Sequence, residues 1–120
     1  ACDVAVSIPD ARIGSYEVAV GVWPMVAQVP LIKRIGPRHA MENIGSGDPF
    51  TAQRAYELGL VNAITDAKDL VSAVKGWLTR AARGGASNAG RQVFYEIAEL
   101  SYEAGLDLSL EKFAAQFRGV

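Results

Sequence analysis

The stretch that most constrains this chain is a short helix fenced at both ends by its own stop signals. Thr51 can accept a hydrogen bond from a free amide at the start of Ala52–Leu58, and Gly59 can take the left-handed conformation that closes a helix. Leu60-Val61-Asn62-Ala63-Ile64 then reads as a short strand. A capped helix thus passes into a strand through a single glycine.

The rest of the chain is punctuated in the same way. Val4, Ala5, Val6 and Ile8 form an apolar run closed by Pro9-Asp10, the pattern of a buried strand ending in a turn. A second extended piece is expected at Ala11–Ile13, followed by Gly14. Val18, Val20 and Val22 alternate with Ala19 and Gly21, which predicts a half-buried extended segment ended by Trp23-Pro24. Met25–Ile35 is helical in character, with Pro30 expected to start a turn or kink it. Lys33-Arg34 before Gly36 marks its C-terminus, because cations oppose the negative end of the helix dipole. Pro37 opens a further helix, Arg38–Ile44, which Gly45-Ser46-Gly47 ends.

Downstream the pattern is helical. Asp66 is a candidate cap for a helix in which Leu70, Val71, Val74, Trp77, Leu78 and Ala81 recur at helical spacing, ended by Gly84-Gly85. Val93, Phe94, Ile97 and Leu100 mark another, with Gly105 as its expected stop. Ser109 is expected to cap the stripe Leu110, Phe113, Ala114 and Phe117. The class is α/β, with short strands first and a helical C-terminal region. The division expected is 1–65 for the strand-loop-helix part and 66–120 for the helices.

One carboxylate stands apart from this frame. Glu17 is followed by Val18, Val20, Val22 and Trp23. It is either a surface carboxylate at a strand end or an acid at the wall of an apolar pocket. A net charge of −1 with no basic run argues against nucleic acid, because binding its phosphates needs clustered Lys and Arg. Cys2 is the single cysteine, which rules out an internal disulfide and points to a free buried thiol; no metal site is indicated. No apolar run approaches the ~20 residues that span a bilayer, and nothing resembles a signal peptide. The chain opens without methionine directly in an apolar run and stops just after a helix, the appearance of a piece of a longer protein.

Taken together, these segments resemble the enoyl-CoA hydratase/isomerase (crotonase) superfamily, in its C-terminal half. The carriers are Ala1-Cys2-Asp3, then Ala11-Arg-Ile-Gly-Ser-Tyr-Glu17 for the family's A-x-F-G-x-P-E, and Gly21-Val-Trp-Pro24 for G-x-x-P. Lys33-Arg-Ile-Gly36 follows. Gly45-Ser-Gly-Asp-Pro-Phe-Thr-Ala-Gln-Arg-Ala-Tyr-Glu-Leu-Gly-Leu-Val-Asn62 is the most specific piece. All lie in register, and the match covers residues 1 to 83. The resemblance implies a partial crotonase (ClpP-like) fold. It implies an enoyl-CoA hydratase (a lyase) or isomerase of fatty acid metabolism, working on an acyl-CoA thioester through an enolate in the cytoplasm.

On the same basis Glu17 is the catalytic acid/base, and apolar walls around it would help hold it protonated. Gly14, Trp23, Pro24 and Met25 are substrate-binding candidates. Coenzyme A enters as part of the substrate, with no further cofactor and no metal. The partners implied are the acyl-CoA and copies of the same protein, in a trimer or hexamer, with no nucleic acid and no membrane. The family's oxyanion-hole amides and first glutamate belong to its other half, so this piece alone is expected to be inactive. Asp3 and Asn62 are assigned to structure, and His39 to the surface or an interface. Lys33, Arg34 and Arg38 are read as helix-end charges, with a contact to a CoA phosphate as the other reading.

The departures from the family pattern are specific. Tyr16 replaces proline, Ile13 replaces phenylalanine, and Met25-Val-Ala-Gln-Val-Pro30 replaces a glycine-rich loop and is shorter by a residue. Bulky Met25 and Val26 there narrow or reshape an acyl pocket. A non-catalytic paralogue kept for assembly or acyl-CoA binding is the other function that the sequence allows.

Overall fold

Val6 and Ser7 carry too few ladder bonds to be a strand alone, and their partner comes from far along the chain. In the computed structural model, which describes residues 2–118, β1 (Val6–Ser7) pairs in parallel with β2 (Ala63–Ile64). Ala1, first residue of the Ala1-Cys2-Asp3 motif, and Gly119 and Val120 at the end of the expected helical region lie outside the described residues. Asn62 extends the pairing by one step: its N–H donates to the Ala5 carbonyl at 2.7 Å, and its Oδ1 accepts the Ala5 N–H at 2.9 Å. The structural role expected for Asn62 is borne out.

A second pair is antiparallel, β3 (Arg12–Ile13) with β4 (Phe50–Thr51), in the register Arg12 to Thr51 and Ile13 to Phe50. Phe50 thereby points into a small core with Ala55 and Val61, against which Ile13, Ile35 and Leu58 pack. Burying one such phenylalanine contributes about 2–3 kcal/mol.

The helices follow from their caps. α1 (Gln28–Ile44) is continuous in outline, but Gly36 sits inside it at φ 81°, ψ 162°, so two helical pieces meet there at a kink. Gly36 adopts a conformation closed to other residues, and Pro37 cannot donate to the carbonyl a turn earlier. Pro30 lies in the first turn, where a missing N–H costs nothing, so the bend belongs to Gly36. α2 (Ala52–Leu58) is bounded as expected, with Thr51 Oγ1 accepting the Arg54 N–H at 3.1 Å and Gly59 at φ 84°. Ala52 and Ala55 are fully buried, and their small side chains let the helix backbone approach the strands. Arg54 joins α2 to the last turn of α1 through Glu42, at 2.9 Å; the pair is exposed, so solvent screens most of its attraction. Among the described residues, strands and helices interleave up to Ile64, and helices alone follow.

α3 (Leu70–Ala81) is preceded by a 3-10 turn, Ala67–Asp69, so Asp66 stands before that turn and makes no side-chain cap. The chain divides into two compact units, with the boundary at Trp77–Leu78 within α3. In the second unit α4 (Ser87–Ala98) packs on α5 (Tyr102–Ala115).

Several expectations are corrected here. Gly105 does not stop a helix: it is buried inside α5, where an added Cβ would lie 3.2 Å from Ile97 Cγ2 of α4. Ser109 is likewise interior, and Ser101 caps α5, its hydroxyl accepting the Ala104 N–H at 3.2 Å. The pattern i, i+3, i+4 locates a helix face but not the start of the helix, since any residue of the face can be read as the first. Val18–Val22 is not extended: Glu17–Val20 form a 3-10 turn closed by Gly21 at φ 83°. Alternating valines need a strand to pair with, and among the described residues none pairs with this stretch. Cys2 is exposed rather than buried, because it precedes β1 and gains no cover from the single strand pairing there. The strand expected at Leu60–Ile64 shortens to Ala63–Ile64. Apolar side chains of the second unit, among them Phe94, Leu106, Leu110, Phe113 and Phe117, stand exposed.

If the α4–α5 contact is set by Gly105, a Gly105→Leu substitution should loosen it by about 1–3 kcal/mol through overpacking against Ile97. Hydrogen exchange of the α4 and α5 amides in the full chain is the measurement. Unchanged protection would show that Gly105 does not control the approach.

Candidate active site

A carboxylate can be aimed only as well as the backbone that carries it, and Glu17 lies on a loop between β3 and α1. What holds that loop is Asn43, in the last turn of α1 and fully buried. Its Oδ1 accepts the Ser15 N–H at 2.8 Å, and its Nδ2 donates to the carbonyls of Ser15 at 2.6 Å and Asp48 at 2.9 Å. One side chain therefore satisfies both backbone groups of Ser15 and binds the loop after α1 as well. Buried amides and carbonyls without partners are costly, so this clamp determines where residues 14–16 run.

Gly14 is required by the clamp. A Cβ there would sit 2.6 Å from Asn43 Oδ1, and φ is +140°. For Gly14, expected among the substrate-binding residues, the structure supplies this packing role. Gly47 approaches the 3-10 turn from its other side: a Cβ on it would meet the Ala19 N at 2.9 Å. The loop after α1 is itself tied down, with Gly47 N–H donating to the Asn43 carbonyl at 2.8 Å and Asp48 N–H to Ser46 Oγ at 3.1 Å. The Glu17 turn thus rests against the end of α1 and the loop that follows it.

Within that frame two neighbouring residues donate to one oxygen of the Glu17 carboxylate. The Ser15 hydroxyl donates to Oε2, and the Tyr16 N–H donates to the same oxygen at 2.9 Å. Tyr16 stands where a proline, with no N–H, would leave one of these bonds out. The Ser15 hydroxyl above all, then the backbone N–H groups of Glu17 and Tyr16, hold the carboxyl below the usual carboxylate range. The expectation of a carboxyl kept protonated by apolar walls is overturned. Val20 and Val22 are 71% and 55% exposed, so they form no such wall, and the donors favour the ion. Because its pKa is lowered, the group stabilises the fold above the unfolded carboxylate range, and that contribution is lost as pH falls through the folded value.

Trp23, Pro24 and Met25 lie in the stretch that leads from this turn into α1. Val22 N–H donates to the Glu17 carbonyl at 3.0 Å, which ties the stretch to the turn. Pro24 is buried; Trp23 and Met25 are exposed, at 38% and 66%. Gln28 organises them, accepting the Trp23 indole N–H at 2.8 Å and donating to the Met25 carbonyl at 3.1 Å. Among the described residues no side-chain hydrogen bond joins Trp23 or Met25 to Glu17, so the five candidates share a loop system rather than one bonded cluster. His39 is on the surface, as expected, 3.2 Å from Glu42. Arg34 is exposed, 3.5 Å from the Cys2 carbonyl. Among the described residues no three His, Cys, Asp or Glu side chains could hold a metal ion. No helix among them is long and apolar enough to cross a membrane.

Asn43 and Ser15 were not anticipated as site residues. A signal for Asn43 exists in the spacing Ala40, Asn43, Ile44: these are i, i+3 and i+4 on the buried face of α1, and a polar member of such a face needs partners. Ser15 carries no comparable mark.

The family model for enoyl-CoA hydratase/isomerase matches residues 1–118. A curated Bacillus subtilis (strain 168) protein named "Probable enoyl-CoA hydratase" is 28% identical over 98% of this chain and 47% of its own length. The crystal structure of an enoyl-CoA hydratase from Mycobacterium smegmatis superposes with a TM-score of 0.90 at 28% identity, covering 98% of this chain and 47% of that one. An enoyl-CoA hydratase/isomerase family protein from Silicibacter pomeroyi gives 0.89 at 26% identity, over 99% and 52%. The chain spans about half the length of the relatives it matches.

Replacing the clamp tests its importance. Asn43→Ala should cost about 2–4 kcal/mol, because it leaves the Ser15 N–H and carbonyl unpaired in a buried place. Urea unfolding of the chain measures this, and a loss under 1 kcal/mol would mean that the loop is held elsewhere.

Proposed function

The chain belongs to the enoyl-CoA hydratase/isomerase family and has the α/β fold of that family's solved members, and on this premise we propose that Glu17 transfers the proton in an acyl-CoA reaction that passes through an enolate. The observation that carries the reading is the bracing of Glu17: two donors on one carboxylate oxygen, on a loop locked by a buried asparagine. An ionised carboxylate so placed is a base at rest. It takes the proton from Cα of the thioester; the electron pair left behind moves onto the thioester oxygen, and the carboxyl formed returns the proton.

The enolate oxygen requires two aligned donors, which the resemblance assigns to the family's other half. Returned to a different carbon, the proton completes an isomerisation by Glu17 alone. In a hydratase a second carboxylate shares the water that adds to the double bond. The substrate proposed is the coenzyme A thioester, with no further cofactor. The exposed apolar side chains of α4 and α5 support assembly with copies of the same protein, a trimer or hexamer, in the cytoplasm.

The second reading, a paralogue that binds acyl-CoA or serves assembly without catalysis, draws on Met25 and Val26, exposed at 66% and 86% where the family pattern has glycines. The same side chains bear on acyl specificity in an active enzyme.

Glu17→Gln in the intact protein separates the readings. Activity toward an enoyl-CoA should fall about 10²–10⁴-fold while the thioester still binds. Activity within a few-fold of the unsubstituted protein would remove Glu17 from the chemistry. Met25→Gly should raise kcat/KM for the bulkier of two acyl chains about tenfold relative to the smaller, read from paired substrate kinetics. An unchanged ratio would place Met25 outside the acyl site.

A further inference from the structure

A carboxylate base has two oxygens, and which of them exchanges the proton depends on what already occupies the other. At Glu17 the occupation is one-sided. Oε2 takes both the Ser15 hydroxyl and the Tyr16 N–H, Oε1 takes neither, and Glu17's own backbone N–H acts on the carboxylate as a further donor, weaker than the hydroxyl. Ser15 is nearly buried, and both its backbone groups are held by Asn43, so its Cβ and hydroxyl are placed by the backbone rather than by solvent. We propose that Ser15 is a positioning residue for the proton-transfer step: its hydroxyl occupies Oε2, fixes the rotation of the carboxylate, and leaves Oε1 as the oxygen that receives and returns the proton. This deepens the role proposed for Glu17 and rests on it.

The chemistry favours this division of labour. A hydrogen-bonded carboxylate oxygen is the less basic of the two, because part of its charge is already neutralised by the donors. The Tyr16 N–H is part of the backbone and holds the same oxygen whatever the side chain at 16. The hydroxyl of Ser15 is the donor that a side-chain change can remove. Among the described residues no charged neighbour competes for the assignment. The groups that lower the Glu17 carboxyl are donors alone, led by the Ser15 hydroxyl. On the elements against the turn, Glu42 is engaged by Arg54 and His39, Asp48 lies in the loop after α1, and on the turn itself the phenol of Tyr16 is exposed.

A purely structural serine would behave differently. If Ser15 only shaped the loop, its backbone bonds to Asn43 would suffice, and removing the hydroxyl would change neither the protonation of Glu17 nor the rate once the protein had folded. The test uses the intact protein with Ser15→Ala, Ser15→Thr and Glu17→Gln in parallel, each checked by thermal melting. For Ser15→Ala the expected result is a kcat about fivefold lower with KM unchanged, and an acid limb of the kcat/KM profile displaced to higher pH. The ¹³C resonance of the Glu17 carboxyl should titrate at higher pH in the same variant, and Ser15→Thr should restore the profile.

If the Ser15→Ala profile and the Glu17 titration superimpose on those of the unsubstituted protein while Glu17→Gln is inactive, the role of Ser15 is wrong and that of Glu17 stands. If Glu17→Gln keeps its activity, the reading of Glu17 as the base falls. The ¹³C titration then still reports whether the hydroxyl acts on the carboxylate. Should Ser15→Ala fail to fold, the comparison of Ser15→Thr with the unsubstituted protein carries the test through the same limb, and a displaced limb in a folded threonine variant would overturn the proposal.

Discussion

Everything at the site depends on one buried asparagine. Asn43 reaches 28 residues back along the chain to hold the N–H and the carbonyl of Ser15, and it holds the Asp48 carbonyl on its own side. A side-chain amide can do this because it is donor and acceptor at once, as a peptide group is, and so stands in for a strand that is not there. The loop carrying Glu17 has no ladder of its own between Ile13 and α1. Without the clamp the Ser15 N–H and carbonyl would lose their partner, and the turn that bears the carboxylate would lose its anchor to α1.

The clamp also explains features that seem unrelated in the sequence. Gly14 has no side chain because one would strike Asn43, and Gly47 has none because the 3-10 turn lies against it. The kink at Gly36 and Pro37 splits α1, and the piece that follows it carries Asn43 to the turn. The Thr51 cap and the Phe50 side chain belong to the pair that flanks the same loop: β4 holds β3, and β3 ends where Gly14 begins. The fold around the site is a set of short pieces, each with few internal bonds, that become definite by contact with one another. This is the arrangement expected where long-range hydrogen bonds and small-residue contacts replace extended sheet.

Much of this was legible before the structure, and the reason is locality. The bounds of α2, the glycine after it, the end of the first helical piece at Gly36 and the helix start at Pro37 each depend on residues within one turn of the boundary. The register of Ala11–Glu17 and Gly45–Asn62 carried the family. The errors are equally physical. Val18, Val20 and Val22 satisfy a strand's alternation but meet no partner strand, so the turn wins. Gly105 looks like a helix stop, yet it is the point where α5 comes close to Ile97. Glu17 among valines looks buried, yet Val20 and Val22 face outward and the carboxyl is governed by hydroxyl and amide donors.

By itself the sequence determined the family, the α/β class, the bounds of α2, the break at Gly36-Pro37 and the residue that bears the carboxylate, because each is written in residues close together along the chain. Only the tertiary structure decided how that carboxylate is held, which of its oxygens is occupied and in which direction its protonation is pushed. Those depend on Ser15 meeting Asn43 and on which side chains are left uncovered. A hydrogen bond between residues so far apart leaves no periodicity to read, and exposure is a property of the packed chain.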